Sequence, residues 1–192
     1  MKYKAWVFDL DGTLVDSNID FQSMRAALQL TDGQDILAVI DQLPPTDRES
    51  ALEIVFQHEL AAVRDSKPIV GALEFVQKLK ARGYPCAILT RNARSLASQC
   101  LQMHGFDIDL VVAREDAPAK PKPDGLIKIA QMFKVQVDEL FFVGDYIYDL
   151  HAGLAAGTPT ALYIPSSADF ETEGACFIFQ SFDQLSARVL TQ

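Results

Sequence analysis

The fold of this chain is decided by residues 5–14, Ala5-Trp6-Val7-Phe8-Asp9-Leu10-Asp11-Gly12-Thr13-Leu14. The four apolar residues predict a buried strand, and because side chains alternate along a strand, Asp9 and Asp11 leave it on the same side. Two carboxylates this close repel each other, so the pair requires a hard cation such as Mg²⁺, a shared proton, or both in turn. Gly12 allows a sharp turn whose consecutive N–H groups could form an anion-binding nest. The alternative is a solvated Asp-Gly turn after an edge strand.

The composition indicates one globular core and restricts the possible partners. A chain of 192 residues that is 49% hydrophobic can bury one core and carry a modest insertion. Its net charge of −9 disfavours nucleic acid and anionic membrane surfaces as partners, because both bind clustered Lys and Arg. The three cysteines lack ligand spacing and predict reduced, mostly buried thiols. With a strand at the N-terminus and no apolar run of about 18 residues, the sequence predicts a cytoplasmic protein.

The segment after the first strand has a purely helical pattern. Its amphipathic stretches are separated by Thr31-Asp32-Gly33 and Pro44-Pro45 and span residues 20–30, 35–43 and 48–63. Residues 17–66 hold nine acidic residues and three arginines, which accounts for −6 of the net charge. We therefore predict a small all-helical cap at residues 17–68, inserted into a core formed by residues 1–16 and 69–192.

From residue 70 onward, short apolar runs alternate with helical patterns. This alternation predicts an α/β fold, a Rossmann-like parallel sheet flanked by helices on both faces. In such a sheet the ligand crevice lies at the carboxyl ends of the strands. The later predicted strands are 86–89, 110–113, 140–143 and 160–164, and the predicted helices are 71–82, 93–104, 124–133 and 149–156.

Polar residues follow the predicted strands at this edge. Each group has a structural alternative when taken alone. The group at Thr90 could be an ordinary helix N-cap, the group at Lys120 a proline-rich surface loop, and the pair at Asp145 acids at a helix start. If the last helix starts near Asp145, then Asp145 and Asp149 lie one turn apart on one helix face. The groups are Thr90-Arg91-Asn92, Lys120 within Lys120-Pro121-Lys122-Pro123, and Asp145 with Asp149.

Together these stretches resemble the motifs of the haloacid dehalogenase superfamily. The first motif of that family reads Asp-x-Asp-Gly-Thr-(Leu/Val) and often continues to Asp-Ser, as residues 9–14 and Asp16-Ser17 do. Thr90 is similar to the second motif, Lys120 to the Lys-Pro-x-Pro motif, and residues 144–149 to Gly-Asp-x-x-x-Asp. All four occur in the family's order. The resemblance is to subfamily I members with a helical C1-type cap, and among these to phosphoglycolate phosphatases.

The resemblance implies a Mg²⁺-dependent phosphatase that hydrolyses a small-molecule phosphomonoester through an aspartyl-phosphate. It implies Asp9 as nucleophile and Asp11 as acid and base, with Thr90 and Lys120 as the other catalytic residues. The implied metal ligands are Asp9, the backbone carbonyl of Asp11, and Asp145, with Asp149 in support. The implied phosphate-binding and substrate-binding residues are Gly12, Thr13, Arg91, Asn92 and Arg25.

Two further points narrow the predicted activity. Asp11 argues against a dehalogenase, which has no leaving alkoxide to protonate, and no lysine occurs between Lys4 and Lys67 to form the Schiff base of a phosphonate hydrolase. Two alternatives stay open, a phosphosugar mutase of the same fold and a catalytically silent binding module. Arg25 could reach a substrate carboxylate or belong to a solvated helix face, and Tyr146 stands where the family often has Ser. The sequence carries no signal for an oligomeric state.

Overall fold

The structure is a computed structural model that describes residues 3–190. The chain divides into two compact units, one formed by residues up to Asp16 and from Lys67 onward, and one formed by Ser17–Ser66. The helices in residues 3–190 are each too short or too polar to traverse a lipid bilayer. The strands are β1 (Ala5–Phe8), β2 (Val15–Asp16), β3 (Lys67–Pro68), β4 (Cys86–Leu89), β5 (Leu110–Val112), β6 (Leu140–Gly144), β7 (Thr160–Tyr163) and β8 (Phe177–Phe179).

The helices of the second unit are α1 to α3, and those of the first unit are α4 to α8. A 3₁₀ turn, Val137–Glu139, precedes β6. The helices are α1 (Phe21–Ala27), α2 (Ile36–Ile40), α3 (Pro45–Asp65), α4 (Ala72–Ala81), α5 (Arg94–His104), α6 (Asp124–Phe133), α7 (Ile147–Ala156) and α8 (Phe182–Val189).

The first unit is built on a six-stranded parallel sheet with the order β5-β4-β1-β6-β7-β8. Val7 of the central strand pairs with Ala87 on one side and Phe142 on the other. The strand order reverses at β1, because the chain fills the β4 side first and then crosses to the β6 side. Parallel sheets bind ligands at such a reversal, outside the carboxyl ends of the strands. The predicted α/β parallel-sheet class is confirmed.

Both faces of this sheet are apolar, as the continuous hydrophobic strands require. On one face, Trp6 packs against Phe75 of α4 and Phe141 of β6, with ring centroids 5.4 and 4.8 Å apart. On the other face, Val7 packs in a cluster that includes Ile129 of α6. The loops after β1, β4 and β6 therefore project from strands that are buried on both faces.

Several elements differ from the sequence prediction. The antiparallel ribbon of β2 and β3 was not predicted, because two residues per strand carry no periodicity. The edge strand β8 and helix α8 were not predicted either. Predicted helix bounds within residues 17–66 were too wide at α1 and α2 and too narrow at α3.

The second unit has its own hydrophobic core. Asp20 and Asp35 accept backbone N–H groups at the starts of α1 and α2, and Pro45 opens α3. The apolar faces of the three helices pack against each other. The buried members of this core are Met24, Ile36, Ile40, Ala51 and Val55.

Candidate active site

Four loops at the carboxyl edge of the sheet carry the site residues of the first unit. Three of these loops follow the buried strands β1, β4 and β6, and the fourth follows the edge strand β5. Residues 9–14 follow β1, residues 90–92 follow β4, Lys120 lies between β5 and α6, and residues 145–149 follow β6 into α7.

Lys120 is the centre of the site. Its ammonium lies 2.7 Å from Oδ1 of Asp9 and 2.6 Å from Oδ1 of Asp149. Only 3% of the residue is exposed, and the Nζ atom lies 5.8 Å from the centroid of the Phe142 ring. Burial acts to lower the pKa of Lys120, but the charges of Asp149 and Asp9 outweigh it and the pKa is raised. Lys120 therefore stays charged and holds two loops together.

Asp149 joins this ammonium to the next loop. Its Oδ2 accepts the backbone N–H groups of Asp145 and Tyr146, at 3.2 and 3.0 Å. Helix α7 begins at Ile147, so Asp145 precedes the helix and Asp149 lies in its first turn. A helix start near Asp145, the condition under which both acids would share a helix face, is therefore not met. The side chain of Asp149 caps the first turn instead, and that holds Asp145 in the loop.

Asp9 and Asp145 are mostly buried carboxylates with perturbed acidity. Burial raises the pKa of Asp9 to about 7, with the Lys120 charge acting against the rise and the Asp149 and Asp11 charges adding to it. Burial, followed by the charges of Asp149 and Asp9, also raises the pKa of Asp145 well above its usual value. The Thr13 hydroxyl donates to Oδ1 of Asp145 at 2.9 Å and opposes that rise. With Asp9, Asp145 and Asp149 all ionised, the site would hold more negative charge than one ammonium neutralises.

Three of these carboxylates form a group that could hold a metal ion. Oxygen atoms of Asp9, Asp145 and Asp149 all lie within 4.8 Å of one another. An all-carboxylate set suits a hard cation such as Mg²⁺, and the excess negative charge fits one as well. Gly12 faces this group in a left-handed conformation, and a Cβ at that position would overlap the Asp145 carboxylate. The close approach of the turn to Asp145 therefore requires glycine.

Asp11 has different partners from Asp9. Its Oδ2 accepts a hydrogen bond from Nδ2 of Asn92 at 3.2 Å, whereas Asp9 faces Lys120. The Asn92 backbone N–H in turn donates to Oγ1 of Thr90 at 3.0 Å. Among residues 3–190, the acidic group described above does not include the Asp11 carboxylate. The structure therefore separates two aspartates that look interchangeable in the sequence.

The turn at Gly12 differs from the predicted anion-binding nest. The Gly12 N–H donates to the Val15 carbonyl at 2.7 Å, and the Leu10 carbonyl accepts from Leu14 and Val15. These bonds close the turn on itself, so the Gly12 N–H group is already used. Thr13 enters the site through its hydroxyl rather than its backbone.

A family model described as haloacid dehalogenase-like hydrolase matches residues 3–157, most of the chain. This chain belongs to the haloacid dehalogenase-like hydrolases. The family resemblance predicted from the four motifs is confirmed.

Individual members of the family are also similar to this hydrolase. A Saccharomyces cerevisiae protein named as an uncharacterized hydrolase is 33% identical over 166 residues, which cover 83% of this chain and 76% of the relative. The pyrophosphatase PpaX of Bacillus thuringiensis is 30% identical over 182 residues, covering 84% and 83% of the two chains. The crystal structure of a predicted phosphoglycolate phosphatase from Haemophilus somnus has a TM-score of 0.76 at 20% identity. The matched region covers 100% of this chain and 99% of the Haemophilus somnus chain.

The remaining sequence-predicted residues of this hydrolase lie in two places. The Arg91 guanidinium donates to the Lys120 carbonyl at 2.6 Å and lies 4.5 Å from the centroid of the Tyr148 ring. It therefore braces the loop that carries Lys120. Arg25 lies in the helical unit, where its guanidinium faces the carbonyls of Phe21 and Gln34. The contact of Arg91 with Lys120 and the pairing of Lys120 with Asp149 were missed, because residues 29 positions apart show no joint pattern in one sequence.

Proposed function

We propose that the protein is a Mg²⁺-dependent phosphatase that hydrolyses a small-molecule phosphomonoester through an aspartyl-phosphate intermediate. The observation that carries the proposal is the Asp9 carboxylate at the end of β1, 2.7 Å from a buried ammonium and grouped with Asp145. Phosphoryl transfer requires a nucleophile close to positive charge, and the Asp9 carboxylate beside the Lys120 ammonium meets this requirement. The names of the relatives, a pyrophosphatase and a predicted phosphoglycolate phosphatase, describe the same class of chemistry.

We assign the metal to the carboxylates of Asp9 and Asp145 and the backbone carbonyl of Asp11, with Asp149 in support. Mg²⁺ bound there would neutralise the acidic group and polarise the phosphoryl oxygens. Asp149 acts through its two oxygens, which hold Lys120 on one side and the Asp145 backbone on the other.

The chain's own residues then divide the reaction between them. A carboxylate oxygen of Asp9 attacks phosphorus, the bond to the ester oxygen breaks, and Asp11 gives its proton to that leaving oxygen. Asp11, now ionised, takes a proton from the water that cleaves the aspartyl-phosphate, so Asp9 is regenerated and phosphate is released. The ammonium of Lys120 and the hydroxyl of Thr90 balance charge on the non-bridging oxygens.

The contacts support this division of roles. Asp11 is held by Asn92 and is therefore oriented independently of Asp9. Arg91 and Asn92 are assigned to the phosphate side of the site because they extend from the same loop as Thr90.

A second candidate, hydrolysis of a phosphoanhydride, is favoured by one comparison, the relative named pyrophosphatase. The same nucleophile would serve, and the leaving group would be a phosphate that needs no proton from Asp11. The two candidates therefore differ in how strongly the Asp11→Asn substitution slows the phosphorylation of Asp9.

The test is hydrolysis of p-nitrophenyl phosphate, 2-phosphoglycolate and inorganic pyrophosphate by the purified protein, with EDTA and after readdition of Mg²⁺. We expect activity on at least one ester, loss with EDTA, recovery with Mg²⁺, and no turnover by Asp9→Asn. Lys120→Ala should lose activity, while the matched control Lys122→Ala, an exposed lysine two residues away, should keep it. Full activity after chelation, or normal turnover by Asp9→Asn, would contradict the proposal.

A further inference from the structure

Four side chains form a continuous row across the edge of the sheet where the site lies. The ring centroids of Phe170 and Tyr146 are 5.2 Å apart, and those of Tyr146 and Tyr148 are also 5.2 Å apart. The Arg91 guanidinium continues the row at 4.5 Å from the Tyr148 ring. We call these four residues the aromatic row. Edge-to-face rings and a stacked guanidinium hold one another in fixed orientations.

The aromatic row touches the active site at two points. At one end, Arg91 donates to the carbonyl of Lys120, the residue whose ammonium contacts Asp9. In the middle, the Tyr146 backbone N–H donates to Asp149, and Tyr146 directly follows Asp145. Consecutive Cα atoms lie about 3.8 Å apart, so the backbone of Tyr146 lies directly beside a member of the acidic group.

Tyr146 is also the exposed member of the row. It is 46% exposed, whereas Tyr148 and Phe170 are half-buried. Phe170 and Tyr148 both meet the Tyr146 ring edge-to-face, at 66° and 81°. The neighbouring rings therefore hold an accessible aromatic surface in place beside the phosphoryl site.

We propose that Tyr146 is a specificity-determining residue whose ring packs against the leaving group of the substrate, and that the preferred leaving group carries a planar ring. This inference rests on the proposed phosphatase function and names its substrate class: phosphomonoesters of alcohols with an aromatic or heteroaromatic ring near the ester oxygen. A planar ring gains from stacking or edge-to-face contact with tyrosine, and a two-carbon acid presents no such surface. The rigid row means that the binding surface is ordered before the substrate arrives.

The test compares benzyl phosphate with cyclohexylmethyl phosphate, two primary alkyl esters of similar size, of which only the first has an aromatic ring. We expect the wild-type protein to prefer benzyl phosphate in kcat/KM by about fivefold, the range of a single aromatic contact. Tyr146→Phe should keep the preference, and Tyr146→Leu and Tyr146→Ala should lose it. Ile178→Ala, which truncates another exposed apolar residue on β8, should behave as wild type. Thermal unfolding of each variant shows which of them are folded.

A binding measurement separates this inference from the proposed function. Calorimetric titration with benzylphosphonate and cyclohexylmethylphosphonate, which have a P–C bond and no hydrolysable ester, measures the same preference without turnover. If the wild-type protein hydrolyses none of the phosphate esters named above but binds the benzyl compound more tightly through Tyr146, the phosphatase proposal fails and the inference stands. Equal values for the two compounds in the wild-type protein, or a preference that persists in Tyr146→Leu, would overturn the inference whatever the outcome of the hydrolysis test.

Discussion

The ammonium of Lys120 lies 2.6 Å from Oδ1 of Asp149, and both residues are almost fully buried. A buried charge without a partner is strongly destabilising, so each of these residues requires the other. Because Lys120 also contacts Asp9, the pair links the helix that starts after β6 to the carboxylate that follows β1. The same contacts therefore stabilise the fold and set the geometry of the site.

The first prediction concerns this pair. Lys120→Met leaves two buried carboxylates without their cation, so we expect the free energy of unfolding at pH 7 to fall by about 3 kcal/mol. Urea denaturation of the variant and the wild-type protein measures the difference.

A double-mutant cycle tests whether the loss comes from the pair. Adding Asp149→Asn to Lys120→Met removes one of the two unneutralised charges, so the double variant should lose about 1 kcal/mol less than the sum of the single variants. Strictly additive losses would show that Lys120 and Asp149 do not interact energetically.

The second prediction concerns the close approach of Gly12 to Asp145. Gly12 and Gly83 both have left-handed backbones, with φ of +83° and +79°, but only at Gly12 would a Cβ meet another residue within 4 Å. Gly12→Ala and Gly83→Ala should each cost about 1 kcal/mol of stability from backbone strain. Only Gly12→Ala should also displace the Asp145 carboxylate and weaken Mg²⁺ binding.

Calorimetric titration of Mg²⁺ into both variants is the measurement. Gly83→Ala is the matched control, because it carries the backbone penalty without the overlap. If Gly12→Ala binds Mg²⁺ as the wild-type protein does, Asp145 either tolerates the displacement or is not a ligand.

The strands that carry the site could be predicted from the sequence, for a physical reason. Strands such as Cys86–Leu89 are continuous apolar runs between turns, and their positions follow from local pattern alone. The polar residues after these strands were predicted as a group, because the carboxyl ends of parallel strands share one edge. The strand β8 could not be found this way, since three residues with one exposed side chain lack a distinctive pattern.

What the sequence could not supply is the pairing between loops. Asp149 was expected to support a metal, and its contacts with Lys120 and with the backbone at Tyr146 depend on how the two loops fold over the sheet edge. The start of α7 at Ile147 depends on the same side chain. Likewise, nothing in the local pattern relates Tyr146 to Phe170, which lie in separate loops.

The third prediction concerns the three thiols. Cys176 is exposed, while Cys86 and Cys100 are buried. Burial raises the pKa of Cys86 to about 12, so at pH 8 only about one molecule in ten thousand carries its reactive thiolate. We expect one rapid equivalent in a reaction with Ellman's reagent at pH 8, and three after unfolding in guanidinium chloride. Cys176→Ser should abolish the rapid equivalent, and a second rapid thiol in the native protein would contradict the burial of the other two.

The fourth prediction separates Asp9 from Asp11. Asp9 contacts Lys120 and belongs to the acidic group, whereas Asp11 is held by Asn92, so their isosteric variants should fail at different steps. Asp9→Asn removes the nucleophile, and no acid-labile phosphoenzyme should form even from p-nitrophenyl phosphate. Asp11→Asn keeps the nucleophile, and a good leaving group needs no proton from Asp11. Asp9 should therefore still be phosphorylated, and the intermediate should persist because the attacking water lacks its base. Rapid quenching followed by peptide mass spectrometry should find phosphate on Asp9 in Asp11→Asn and nowhere in Asp9→Asn. A label on any other residue would reassign the nucleophile. An intermediate that decays equally fast in Asp11→Asn and the wild-type protein would show that another group activates the water.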